Sequence, residues 1–269
     1  YSEGIYVGYK YYETRYEDAV MGKGNATSTA GAVNSKTNWV YSEEVAFPFG
    51  YGAAYTEFQY SDYKLELGED GNYNATVTVT NIGNVNGKDA VQIYVQKPYT
   101  EYDKEYGIEQ AAVNLAGYAK TPELKPGESV TISIMIRDDA LKTYDANNKK
   151  TYIREAGDYY FVVAHDAHDA VNNILAAKGY TPENTNGVMD AEGNRAEVKV
   201  LSNGMVDIAN FVSFDTKALG VNEKVSFKVL KDILENNSTD EEIAEAIKAN
   251  IDALIPKHIT IDDIFATIN

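Results

Sequence analysis

The sequence predicts a mainly β fold: a sandwich of short strands, preceded by a stretch of different texture and followed by a small helical tail. Three observations carry this. Segments of strict two-residue alternation recur between residues 63 and 164. Turn signals rich in Gly, Pro and Asn separate them. After His165 the apolar spacing changes from two to three and four. Short alternating strands punctuated in this way are the pattern of an all-β sandwich.

Taken in order, residues 1–16 (YSEGIYVGYKYYETRY) read as one extended segment, with Ile5, Val7 and Tyr9 alternating against Tyr6, Gly8 and Lys10. Residues 17–46 read as a long loop, small and polar around MGKGNATSTAGAVNSK. The stretch FPFGYGAAYTEFQYS (47–61) is dense in rings, while Pro48, Gly50 and Gly52 exclude an ordinary helix. Strands are then expected at 63–67, 73–83, 89–98, 113–121, 128–137 and 156–164. In the second of these Ala75, Val77 and Val79 share one face and Thr76, Thr78 and Thr80 the other. The loop 99–110 is expected to cross from one sheet to the other. DAHDAVNNILAAKG places Ala167, Val171, Ile174 and Leu175 on one helical face and stops at Gly179. AEVKVL (196–201) reads as a last strand. In the tail, apolar residues from Val225 to Leu234 mark one helix, TDEE (239–242) caps a second that carries Ile243, Ile247, Ile251 and Leu254, and 260–268 suggests a third.

Two long motifs in order resemble a known family. YSEGIYVGYKYYETRYED (1–18) and VAFPFGYGAAYTEFQYS (45–61) are similar to the end of the second, α/β sandwich domain of glycoside hydrolase family 3, the β-glucosidase family. VTVTNIGNVNGKDAVQIYVQKP (77–98), LAGYAKTPELKPGES (115–129) and GDYYFVVAHDAH (157–168) resemble the fibronectin type III-like domain that follows in that family. The resemblance covers about residues 1–180. It implies three parts: 1–60, the end of the sandwich domain and a linker; 61–205, a fibronectin type III-like domain with a C-terminal helix; and 206–269, a helical tail of unknown identity. The insertion at 17–44 and the helix after His165 resemble the branch of the family with inverted domain order. Two departures stand out. Ala53-Ala54 replaces a usual Leu-Ser, and Lys10 replaces a common Arg, which matters wherever a bidentate fork is needed.

The resemblance implies where the chemistry is not. Retaining glycoside hydrolysis needs a nucleophile and a general acid/base on opposite sides of one sugar. In the family the nucleophile is an Asp in a Ser-Asp-Trp-like motif of the barrel, and here the single Trp39 follows Asn38. The acid/base Glu lies upstream of the motif that begins at Tyr1. The expectation is therefore a portion without catalytic residues that is inactive alone, its partners being the barrel and the remainder of the sandwich domain. The family-motif residues Glu3, Gly4, Gly8, Tyr9, Lys10, Phe47, Pro48, Gly50, Tyr51, Gly52 and Tyr55 are expected to form a structural seam between domains. With its neighbour missing, part of that seam should be an exposed apolar patch.

Composition bounds the rest. A net charge of −17 argues against nucleic acid and anionic membrane, because phosphate affinity comes from Lys and Arg. Without cysteine there is no disulfide, thiolate metal site or Cys nucleophile. No run approaches the ~18 apolar residues of a membrane span. The 22 tyrosines suit strand faces and domain seams, and they also motivate a second reading, a carbohydrate-binding or adhesion module that stacks exposed rings on sugars. His165 and His168 form H-x-x-H beside Asp166 and Asp169. The expectation there is a solvated helix start, with no metal and no cofactor.

Overall fold

The computed structural model describes residues 4–22, 40–68 and 70–202. Its centre is a β-sandwich. One sheet has the order β1-β2-β5, from β1 (Phe58–Leu67), β2 (Tyr73–Asn81) and β5 (Ser129–Ile136). The facing sheet has the order β4-β3-β8-β9, from β3 (Ala90–Gln96), β4 (Asn114–Lys120), β8 (Asp158–Ala164) and β9 (Val198–Ser202). All their pairings are antiparallel. A two-stranded hairpin, β6 (Thr143–Asp145) with β7 (Thr151–Ile153), is inserted before β8.

Alternation decides which residues meet between the sheets. On β2, Ala75, Val77 and Val79 are buried and the intervening threonines half-buried, as the two-residue period requires. They pack against Val91, Ile93 and Val95 of β3 and Tyr159, Phe161 and Val163 of β8. β3 and β8 are buried on both faces. Their second face, Tyr94 and Val162 among it, belongs to another core formed with helices α1 (Tyr9–Met21) and α4 (Ala167–Ala177). The described region therefore has three layers: sheet, sheet and helices.

Three expectations are corrected. Residues 9–16 are not extended but open α1, with Gly8 at positive φ before the helix and Gly22 in the left-handed region after it. The helix also takes residues 17–21 out of the expected loop, and a short turn of helix, α2 (Tyr41–Glu44), occupies part of the remainder. The helix is legible once the spacing is read in threes and fours: Glu13, Tyr16, Glu17 and Val20 form the buried stripe. The loop 99–110 does not cross between sheets. It contains helix α3 (Glu101–Tyr106) and joins β3 to β4, which are neighbours in one sheet. The predicted face of α4 is buried, and Asp166 caps its start by accepting from His168 N and Asp169 N. The helices expected beyond residue 222 lie outside the described residues.

Candidate functional site

The junction between the N-terminal segment and the sandwich is the most elaborate polar assembly among the described residues. Helix α1 puts two carboxylates on the face it buries, one turn apart. Glu13 is 1% exposed and Glu17 fully buried. A buried carboxylate needs a hydrogen-bonding or charged partner to offset its lost hydration. Glu13 Oε1 accepts from Tyr41 OH at 2.5 Å, and Oε2 lies 2.9 Å from His168 Nδ1. The other ring nitrogen of His168 is 3.0 Å from Asp190 Oδ1. Tyr41 stacks on the imidazole, with centroids 3.8 Å apart and planes inclined by 16°. Tyr16 OH lies 2.8 Å from Asn172 Oδ1 and 2.9 Å from Asp190 Oδ1, with one proton to share between the two acceptors. Glu17 Oε1 accepts from Gln96 Nε2 and from Lys178 Nζ, both at 2.8 Å.

These contacts set the protonation of His168. Burial pushes the imidazole pKa down, but hydrogen bonds and charge from Asp190 and Glu13 outweigh it and raise the value to about 9. The ring is thus an imidazolium clamped between carboxylates, only 13% exposed by its side chain. Asp190 is held below the usual carboxylate range; burial opposes this and His168 prevails. The expectation of a solvated helix start is corrected: His168 is an internal ion-pair partner. His165 stacks on Tyr60, with centroids 4.2 Å apart. Among the described residues no group of three His, Cys, Asp or Glu is placed to hold a metal ion.

The ring-rich stretch lies beside this assembly. Tyr9 stacks on Phe49 at 4.4 Å, and its hydroxyl accepts from Leu115 N at 3.1 Å. Phe49 O accepts from Ala167 N at 2.9 Å and from Tyr94 OH at 3.3 Å. Gln92 Nε2 donates to Gly50 O at 3.0 Å and His165 O at 2.6 Å. Gly50 has φ +89, and a Cβ there would meet Gln92 Oε1 at 2.1 Å, so two separate constraints require glycine. Backbone groups of 49–50 are therefore fixed to the sandwich while the rings beyond them are not covered. Phe47 is 71% exposed and Tyr55 98%, and Phe49 and Tyr51 are about half exposed. A shallow cavity of about 430 Å³ runs along this edge, lined by Tyr9, Tyr12, Tyr41, Val45, Phe47 and Phe49.

Of the predicted seam residues, Gly8, Tyr9 and Phe47 line this cavity, Gly50 is held beside it by Gln92, and Pro48 O accepts from Tyr51 N at 3.1 Å. Tyr51 meets Phe47 at 5.2 Å. Gly52 and Tyr55 are exposed and stand apart. Gly4 and Lys10 line a different cavity. Glu3 lies outside the described residues. Sequence reasoning missed Glu13, Glu17, Tyr41 and Asp190. A helical reading of Tyr9, Tyr12, Glu13, Tyr16 and Glu17 would have placed the two glutamates on a buried face.

Parts of the chain are similar to known proteins. A family model, the fibronectin type III-like domain, matches residues 89–167. Beta-glucosidase A of Butyrivibrio fibrisolvens is 34% identical over 186 residues, covering 63% of this chain and 19% of that protein. The solved structure of beta-glucosidase 3B from Thermotoga neapolitana is 28% identical, covers 62% of this chain and 18% of its own, and superposes with a TM-score of 0.45. A separate similarity has another direction: 73 residues, 27% of this chain, are 49% identical to 6% of the DNA-directed RNA polymerase subunit beta of Clostridioides difficile. The chain spans less than a fifth of the length of the curated β-glucosidases it matches. Over the matched region the chain is thus similar to a C-terminal part of the β-glucosidases of glycoside hydrolase family 3, with a fibronectin type III-like domain in common.

Proposed function

We propose that this chain is a non-catalytic supporting portion of a family 3 β-glucosidase-like enzyme. In this reading residues 1–60 end its sandwich domain, 61–205 form the fibronectin type III-like domain with its helix, and the domains upstream and the barrel are its partners. The observation that carries the reading is the contrast at the junction. The backbone at Phe49 and Gly50 is held by buried side chains, while Phe47, Tyr51 and Tyr55 lie open beside it. A surface built rigidly and left uncovered is what a domain seam offers when its neighbour is absent. The buried carboxylates Glu13 and Glu17 are spent on internal partners, so neither is free to serve as nucleophile or acid.

The test is direct. Purified chain mixed with an aryl β-glucoside should release no phenol above the uncatalysed rate, and robust hydrolysis would overturn the proposal. Exposed Tyr118, Tyr144 and Tyr152 favour the second reading, carbohydrate binding. Affinity electrophoresis in soluble glucans separates the two, since a supporting domain migrates unretarded.

We also assign the polymerase-like stretch to the residues that follow the sandwich. The family model ends at residue 167, the last described strand ends at Ser202, and the stretch left over is close in length to the 73 matched residues. Peptide mapping of the native protein checks this join: a peptide spanning residues 195–215 supports one continuous product. Its absence, beside peptides from both flanks, would refute it.

A further inference from the structure

On the far side of α1, a second cavity of about 340 Å³ opens where α1, the β3–β4 connection and the β6–β7 hairpin meet. Lys10 reaches it from α1, Lys97 from the end of β3, Asn114 from β4, and Glu109 from the connection. Two of these cations have no anion. Lys97 Nζ donates to Lys142 O at 2.9 Å and Thr143 Oγ1 at 2.6 Å, both neutral oxygens. Among the described residues neither Lys97 nor Lys10 has a carboxylate within ion-pair distance. Lys142, the third lysine of the lining, is taken by Asp138 and Asp139. Asn114 Nδ2 is buried and lacks a hydrogen-bond partner. Burial first, and the charge of Lys10 second, lower the Lys97 pKa to about 8; Asp103 and Glu155 act weakly in the other direction.

Two ammonium groups without a carboxylate partner among the described residues and one amide N–H without an acceptor thus line one cavity, in a chain whose net charge is −17. A buried ammonium beside a second cation is costly, and an anion between them removes both the repulsion and the unmet hydrogen bonds. Glu109, the single carboxylate of the lining, is half-buried and pairs with neither lysine.

We propose that this cavity binds a small oxyanion, a carboxylate or a phosphate group, held between Lys10 and Lys97 with the Asn114 amide as a third donor. The site is independent of the β-glucosidase reading, since Gly4 and Lys10 are the only residues of the expected seam that line it and neither is assigned a catalytic role. Titration of the full chain with inorganic phosphate and, separately, with malonate tests it, by calorimetry at constant ionic strength set with chloride. Saturable binding of either anion is expected, and the arm that saturates identifies the oxyanion. Lys10→Gln should weaken binding about tenfold, the loss of one charge-assisted hydrogen bond. Lys10 makes no ion pair, so this variant keeps the fold; Glu109→Gln should tighten binding by relieving repulsion. No saturation by either anion, or affinity unchanged by Lys10→Gln, would overturn the proposal.

Discussion

His168 holds one ring nitrogen to Glu13 and the other to Asp190, contacts that are fully charge-assisted only while the ring is protonated. Its pKa near 9 in the folded chain lies above the ~6.5 of a free imidazole. The stabilisation is therefore complete below about pH 6.5, decays as pH rises, and is gone above about 9. Replacing the ring removes one partner from two carboxylates, one of them fully enclosed, which costs about 3 kcal/mol at neutral pH. His168→Ala should accordingly unfold at lower urea than the parent at pH 6, with the gap narrowing towards pH 9.5. A gap independent of pH would show that packing against Tyr41 is all the ring supplies. This residue was visible in the sequence as half of an H-x-x-H pair, but its partners lie 155 and 22 positions away. Local pattern carries no information about contacts at such separations.

The strands show the reverse case. β2 and β5 were legible because each alternates, as the pleat requires wherever one face is buried, and β3 and β8 because each is a short apolar run bounded by turn signals, the pattern of a strand buried on both faces. Helix α1 was not legible as read, because Ile5, Val7 and Tyr9 imitate a strand and because Glu13 and Glu17 look like a solvated face. Burial of charged residues is specified by the partner layer, which the local sequence does not contain. Between elements, two substitutions discriminate packing from charge. Gly193 lies where an added Cβ would meet Asn172 O at 2.1 Å, backbone of α4 that cannot swing aside. Gly193→Ala should cost about 2 kcal/mol, read as a lower urea midpoint at unchanged slope; an unchanged midpoint would mean the loop relocates freely. Glu155 follows β7, and burial first, then its hydrogen bond with Asp103, raises its pKa to about 8. A raised carboxyl favours folding below the ordinary carboxylate range and loses that advantage as pH rises towards 8. Glu155→Gln fixes the neutral form, so the variant should gain stability relative to the parent between pH 7 and 9. A loss that grows with pH over that interval would contradict the assignment.

At the scale of the whole molecule, the sandwich and its helical layer bury their own apolar surfaces, whereas the ring-rich edge does not. The three-layer arrangement explains why FPFGYGAAYTEFQYS contains both fixed and loose elements. Phe49 and Gly50 serve the layer beneath through their backbone, and Phe47, Tyr51 and Tyr55 project beyond it. The change in texture around residue 60 was readable and corresponds to the start of β1 at Phe58, but which rings lie outward depends on the turn at Gly50. Since an exposed ring contributes little to folding, Phe47→Ser and Tyr55→Ser should each change stability by less than about 0.5 kcal/mol. Tyr159, 1% exposed within the sandwich core, should cost about 3 kcal/mol or more on truncation to Ala. The same outward rings should bind a hydrophobic dye, and the two Ser substitutions should lower its fluorescence without moving the urea midpoint. If Phe47→Ser instead shifts the midpoint as far as a core truncation, that ring is packed within this chain, and the edge is not a seam awaiting a neighbour.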